Sequence, residues 1–389
     1  MRKVYLAPLA ILCLLTGCIS TPTGSNATKE TAQRTLSEAV GVRPGVYVSN
    51  DPAALPLPTG GYDIYVIGEV HGIHEVQQLF IEYLKMLHEA NGLRDIVLEG
   101  SQFYEGEFNK YILGLSDRLW PTEYSVDIPM ALRMYNKTLP QNEKIHVHCP
   151  DIYPHISTMH GYLCVLKEEI GRESENIEIP PLKEFERWKE NEILAMIDHL
   201  MESTENDELL NELKTAKASV QCFFAKTMEQ KYLIREETTA QNIKYLSKEL
   251  DGAPVLALYG DWHAKKHDSI ETHPYVHPWA SRLTEKGVTI CSIYALGLEG
   301  RRWSPTHGEV VTFHHDSTQI QFADGSTLAD IFNENPEYTI AYIDLKELNS
   351  LEVEFYRSTY VLFDPTTPAG RIFDGIVVFK EVTPKNIIK

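Results

Sequence analysis

From Asp63 to Ile67 the chain is an unbroken β-rich run, and Gly68-Glu69-Val70-His71-Gly72 closes it with a tight exit bearing one acid and one imidazole. From Val76 the apolar positions fall at 76, 79, 80, 83, 84 and 87, which is one helical face. Asn91-Gly92 is a helix stop, and Arg94 to Leu98 is a second apolar run ending in Glu99. Strand, helix and strand in that order predict a βαβ unit with parallel strands and a right-handed crossover. Glu69, His71 and Glu99 then lie just past the carboxyl ends of strands, the edge at which open α/β sheets bind ligands.

The same reading extends along the chain. Lys144–Cys149 is a third strand, Ala253–Tyr259 a fourth and Val288–Leu296 a fifth. Gln102 to Gln141 carries one or two helices over the site. Between about 156 and 250 strand character is nearly absent. Helical spacing runs through 183–200 and 207–233, as in Leu209, Leu210, Leu213, Ala216, Val220, Phe223 and Phe224. Towards the end, Val310–Phe313, Gln319–Phe322, Tyr338–Tyr342 and Ile376–Phe379 read as short antiparallel strands at a sheet edge. The pattern predicts an α/β fold: a central, mostly parallel sheet flanked by helices, a helical insertion at about 156–250, and antiparallel edge strands towards the C-terminus.

The N-terminus changes the picture of where the protein works. Met1-Arg2-Lys3 is a short basic start and Val4 to Leu15 a short apolar core, too short to span a bilayer. Leu15-Thr16-Gly17-Cys18 follows, resembling the bacterial lipobox. The reading is a lipoprotein signal peptide at 1–17, lipidation of Cys18 (a palmitate-type acyl anchor), a polar tether over 18–55, and one domain over 56–389 whose body starts near Tyr62. The expected location is the bacterial cell envelope, with the membrane met through the lipid anchor alone. A hydrophobic content of 43% is ample for a core, and a formal charge of −19 argues against nucleic acid as a partner. Cys149, Cys164, Cys222 and Cys291 show no CxxC spacing; Cys149 and Cys291 lie in apolar runs suited to buried thiols.

Candidate chemistry comes from two copies of Gly-x-x-His, Gly68-Glu69-Val70-His71 and Gly260-Asp261-Trp262-His263, each directly after a strand. Upstream of the second, Arg235, Glu236, Ala240 and Asn242 share a predicted helix. Arg235 suits a carboxylate or oxyanion, and Glu236 can orient an imidazole or accept a proton. Activating water needs a base near neutral pKa or a Lewis-acid metal. His71 or His263 suits the first, and Glu69, His71, Glu99 and His263 offer ligands for a divalent ion, with His71 and His263 its candidate imidazoles. No GxSxG or Cys–His arrangement suggests a covalent nucleophile. The expected partner is a small-molecule or peptide substrate. The remaining histidines read as caps and loop residues, although one of His267, His273 and His277 is close enough in sequence to reach the site.

GEVHG, a helix and IVLEG, with REETTAQN and then YGDWHA, resemble the erythromycin esterase, ChaN-like and Tiki (TraB-type) superfamily. The resemblance covers about Tyr62 to Leu296. REETTAQN is similar to the Arg-Asp-x-x-Met-Ala-x-Asn of the esterase branch, with Glu236 for Asp and Thr239 for Met. GEVH is one residue shorter than that branch's Gly-Glu-x-x-His-Gly and is closer to the ChaN and Tiki branches. The resemblance implies ester hydrolysis, metal-dependent peptidase action or haem binding. Two functions are therefore carried forward: a Glu/His/Arg hydrolase using Glu69, His71, Glu99, Arg235, Glu236 and His263, and a haem- or iron-binding uptake lipoprotein.

Overall fold

The computed structural model describes residues 38–118, 126–153, 155–267, 277–348, 353–355 and 369–386. Cys18, the signal segment and most of the tether lie outside these residues. The first elements are β1 (Val40–Arg43) and β2 (Val46–Ser49), an antiparallel pair within the main sheet. This corrects the expectation that the tether runs to residue 55 and the body begins near Tyr62. Each strand has four residues and the two flank a Pro44-Gly45 turn, too short a stretch for alternation to register.

The βαβ unit follows as β3 (Ile64–Glu69), α1 (His74–Asn91) and β4 (Asp95–Leu98). All six apolar positions of the expected face of α1 are buried, and Gly92 ends the helix in the left-handed region at φ 73°. Next come α2 (Glu105–Ile112), α3 (Asp127–Thr138) and β5 (His146–His148). A helical run succeeds them: α4 (Ile156–Ile170), α5 (Leu182–Phe185), α6 (Glu190–Glu202), α7 (Asp207–Phe224) and α8 (Met228–Glu249). The periodicity read as one helix over 207–233 is broken at Ala225-Lys226-Thr227. There the Thr227 hydroxyl caps α8 by accepting from the Gln230 N–H, an alternative that short hydroxyl side chains offer the backbone.

The remaining strands are β6 (Val255–Gly260), β7 (Ile290–Ser304), β8 (Glu309–His314), β9 (Ile320–Phe322), β10 (Ile340–Asp344), β11 (Val353–Phe355) and β12 (Gly375–Val382). Three short helices intervene: α9 (Trp279–Glu285), α10 (Leu328–Glu334) and α11 (Ala369–Ile372). The sheet order is β1-β2-β10-β12-β7-β3-β6-β4-β5, with β8 paired to β7, while β9 and β11 form a separate pair. The stretch from β12 to β5 is parallel and the β1, β2, β10 flank antiparallel. One strand departs from the expected antiparallel edge. β12 is parallel to β7 and lies inside the sheet, buried along most of its length.

Alternation along the parallel strands splits the core between the faces. Ile64 and Val66 pack with Trp279, Tyr294 and Ile343 on one side, and Tyr65 and Ile67 with Leu79, Phe80 and Ile293 on the other. Burying a side chain of this size is worth roughly 1.5–3 kcal/mol. The helical run from α4 to α8 has its own apolar cluster around Met159, Leu163, Phe185, Ile197, Leu213 and Val220. Among the described residues no helix is long and apolar enough to cross a membrane.

Candidate active site

Four adjacent parallel strands, β3, β6, β4 and β5, end on one edge, and their exits supply the polar residues. Glu69 is the last residue of β3 and is paired in register with Gly260, the last of β6. Glu99 follows β4, Asp151 lies three residues beyond β5, and His263 three beyond β6. Arg235 and Glu236 come from the first half of α8. The structure therefore brings together all six residues expected from sequence.

Two Glu–His pairs flank one carboxylate. His71 Nδ1 lies 2.8 Å from Glu69 Oε1, and His263 Nδ1 lies 2.6 Å from Glu236 Oε1. A carboxylate only accepts, so each Nδ1 carries a proton and donates; this leaves His71 Nε2 for chemistry, while His263 Nε2 accepts from Arg235 Nη1 at 3.3 Å. Those Nε2 atoms face opposite oxygens of Glu99: His71 is 3.6 Å from Oε2 and His263 is 3.6 Å from Oε1. Both distances are too long for direct hydrogen bonds. Glu99 is instead held by the Gly260 N–H, which donates to Oε2 at 2.7 Å, and by Arg235 Nη2, which donates to Oε1 at 2.7 Å.

The charges are strongly coupled. Burial disfavours the His71 cation, but the charge of Glu99 and the hydrogen bond to Glu69 outweigh it and lift the imidazole from 6.5 to about 9. Burial likewise pulls His263 down, Glu236 lifts it, Arg235 opposes, and the net direction is up. Burial alone would raise Glu99; His71, His263, Arg235 and the Gly260 N–H hold it far below the ordinary carboxylate range.

Backbone geometry fixes the loop that carries His71. Gly72 has φ +92°, and a Cβ there would sit 1.8 Å from the Trp303 carbonyl oxygen. Its own carbonyl accepts from the Trp303 and Lys385 N–H groups at 3.0 Å each, while Arg302 Nη1 donates to the His71 carbonyl at 3.1 Å. Gly260 is constrained from the other side, since a Cβ there would stand 2.8 Å from His71 Nε2.

Sequence reasoning missed Asp151. Its carboxylate accepts from Arg235 Nε at 3.0 Å to each oxygen and again from Nη2. The available signal was position: Asp151 follows the third predicted strand as Glu99 follows the second. Asp261 was noted in its motif but given no part. Burial raises its carboxyl, opposed by Lys265, His71 and His263, and its N–H donates to the Glu69 carbonyl. Lys265 is itself buried. Of the other histidines, His277 faces Glu285 at 3.9 Å, His267 is exposed, and His273 lies outside the described residues. The four cysteines at 149, 164, 222 and 291 are free thiols, with Cys149 and Cys291 buried.

Could a divalent ion sit between His71 and His263? Glu99 lies between the two imidazoles, and its Oε1 already carries Arg235 Nη2, while Arg235 Nη1 donates to His263 Nε2 at 3.3 Å. An incoming cation would compete with the guanidinium for the same carboxylate. One orphaned oxygen, Glu69 Oε2, is fewer donors than a zinc site takes. Among the described residues no group of three or more His, Cys, Asp or Glu is arranged to hold a metal. The candidate ligands His71 and His263 are brought together on either side of Glu99, whose charge is taken by Arg235, and that set does not fit a metal ion.

No protein-family model matches the chain, and no curated protein matches it in sequence. Solved structures do. A protein from Bacillus cereus superposes with a TM-score of 0.66 at 16% identity, over 95% of this chain and 100% of its own. A succinoglycan biosynthesis protein gives 0.61 at 14% identity, over 94% and 100%. An erythromycin esterase variant in its open conformation gives 0.58 at 12% identity, over 85% and 93%. The chain has the erythromycin esterase fold. At these identities the likeness concerns the fold and leaves the chemistry to the residues themselves.

Proposed function

We propose that the protein is a hydrolase of the bacterial cell envelope, lipid-anchored at Cys18, that cleaves an ester bond, or a peptide bond, by acid–base catalysis without a metal. The observation that carries this reading is the pair of Glu-oriented imidazoles whose Nε2 atoms converge on one Glu99–Arg235 centre.

His71 is the proton-transfer group, because its side chain is 39% exposed against 9% for His263. In its neutral form His71 Nε2 takes a proton from water, and the water oxygen attacks the substrate carbonyl carbon. The carbonyl electron pair moves to oxygen, where the Arg235 guanidinium stabilises the charge. On collapse the imidazolium returns the proton to the leaving alkoxide or amine, so the imidazole is regenerated and no covalent enzyme species forms. Glu69 holds the tautomer throughout. His263, fixed by Glu236, keeps Arg235 and Glu99 in place.

The test uses the purified mature chain against a panel of chromogenic aryl esters and peptide anilides, with and without a chelator. Turnover lost in His71→Ala and indifferent to the chelator supports the reading; no turnover of any ester or amide sinks it. Haem titration of the same sample should leave the Soret band of free haem unchanged, which separates hydrolysis from haem uptake. Cys18→Ser should abolish lipid labelling and release the protein from the membrane fraction; unchanged fractionation would refute the anchor.

A further inference from the structure

Arg235 can meet a substrate only if its guanidinium is aimed, and the aim comes from a residue that no motif included. A guanidinium has a side edge, made by Nε and Nη2, and an end edge, made by Nη1 and Nη2. Asp151 takes the side edge: Nε donates to both of its oxygens at 3.0 Å and Nη2 donates to Oδ2. Nη2 spends its other hydrogen on Glu99 Oε1 at 2.7 Å. Nη1 donates one of its two hydrogens to His263 Nε2 at 3.3 Å, and no carboxylate is bonded to it among the described residues. The end edge therefore meets Glu99 through Nη2 and the His263 imidazole through Nη1, at the carboxylate that both imidazoles flank.

Asp151 is itself anchored from several directions. Its side chain is 7% exposed, its N–H donates to the Gly100 carbonyl at 3.0 Å, and its Oδ1 accepts from the Ile152 N–H at 2.8 Å. The preceding Pro150 carbonyl accepts from Asn242 Nδ2 at 2.8 Å, and Asn242 lies on α8 two turns beyond Arg235. The loop and the helix are thus tied together at two points, one of them the ion pair. A bridge between Ser101 and Asp151 sets the same loop beside the exit that carries Glu99.

We propose that Asp151 is a positioning residue: by closing on the Nε–Nη2 edge of Arg235 it presents Nη1 to the substrate carbonyl oxygen. The proposal rests on the hydrolase reading for its reaction, but the grip itself is readable without turnover. Asp151 touches no reacting atom and acts through Arg235. A bidentate, charge-assisted pair of this kind gives orientation as well as energy, and neutralising one partner loosens the orientation first.

The experiment compares Asp151→Asn and Asp151→Glu with the wild type in the full mature chain, using p-nitrophenyl acetate and the arginine Nε–H proton resonance. Asp151→Asn should lower kcat by about 10- to 100-fold with KM within about twofold, as expected for a misaimed transition-state contact. The rising limb of the pH profile, governed by His71, should not move, because His71 keeps its partners. The Arg235 Nε–H resonance, protected from exchange in the wild type, should be lost at an unchanged thermal midpoint. Asp151→Glu, which retains the charge, should recover part of kcat and part of the protection. A rise in KM with kcat intact would overturn the proposal by making Asp151 a substrate contact. Persistence of the protected resonance in Asp151→Asn would overturn it outright. If the wild type hydrolyses nothing, the hydrolase reading falls, while loss of the resonance in Asp151→Asn still upholds the grip on Arg235.

Discussion

The two Glu–His pairs have the same chemistry and opposite construction. Glu69 and His71 are separated by one residue and leave a single strand, and the imidazole is 39% exposed. Glu236 and His263 come from α8 and the exit of β6; their side chains are 1% and 9% exposed, and the carboxylate also accepts from the Trp279 N–H at 2.8 Å. The outer imidazole is partly exposed on its loop beyond a buried carboxylate, while both members of the other pair are buried. In the proposed mechanism the difference separates a group that exchanges protons from one that holds its neighbours, since proton transfer needs contact with the reactant whereas orientation needs only rigidity.

The largest effects should come from removing the imidazoles. His71→Ala is expected to lose about 10³-fold in kcat/KM, His263→Ala a similar amount, and the double variant little more, because groups acting as a unit are not additive. A loss of only tenfold in His263→Ala would mean that Arg235 and Glu99 keep their places without the inner imidazole. Gly260→Ala is next. Its Cβ would press on His71 Nε2 from 2.8 Å and disturb only the outer pair directly. A loss of about 10²-fold is expected from such a displacement, with the fold retained; unimpaired kinetics would mean that Nε2 is not the working atom.

The third effect is on pH. A base must be neutral, and His71 is lifted to about 9, so kcat/KM should climb about tenfold per pH unit from neutrality and level off near 9. In Glu69→Gln the limb should shift downward in pH, whereas a limb that stays fixed would assign it to the inner pair. The same shift has a stability counterpart of fixed sign. The folded value lies above 6.5, so the stabilisation from pairing His71 is fully present below that pH and is lost as pH rises through about 9. Denaturation midpoints should fall across that window, and less so in His71→Ala.

The smallest effect lies away from both pairs. Burial raises the Glu212 carboxyl on α7 to about 7, with Glu169 and Glu208 adding to it and Tyr162 opposing. Its ionised form therefore opposes folding increasingly as pH rises from 4.5 through 7. Glu212→Gln should raise the thermal midpoint modestly at pH about 8 and not at pH about 4. An equal gain at both pH values would trace it to packing instead.

How much of this was legible in the sequence depends on the range of the interaction. The βαβ unit could be read because its periodicities are local, and all six positions of the α1 face are buried as expected. Glu69 and His71 were found for the same reason. Arg235 and His263 needed a second copy of Gly-x-x-His as a pointer. Asp151 escaped because a single acid after a three-residue strand has no pattern of its own, and its meaning lies in a contact with Arg235, 84 residues away. β1 and β2 escaped because four residues hold too little alternation. β12 was seen as a strand but placed at an edge, since pairing partners are not written in a strand's own composition.

Gly72 carries a further consequence, for the order in which the molecule is built. Its carbonyl accepts from Lys385, and nearby Glu75 accepts from Thr383 across 308 residues of sequence. Contacts of such separation form late, because the chain entropy between them must be lost before they contribute. The loop that bears His71 thus acquires its anchor only after the segment reaching Lys385 has emerged and β12 has slotted between β7 and β10. A nascent chain short of that point has the outer carboxylate and imidazole but not the clamp that sets their geometry. The geometry on which the proposed hydrolysis depends is then completed late in folding, once the last strand of the sheet is in place.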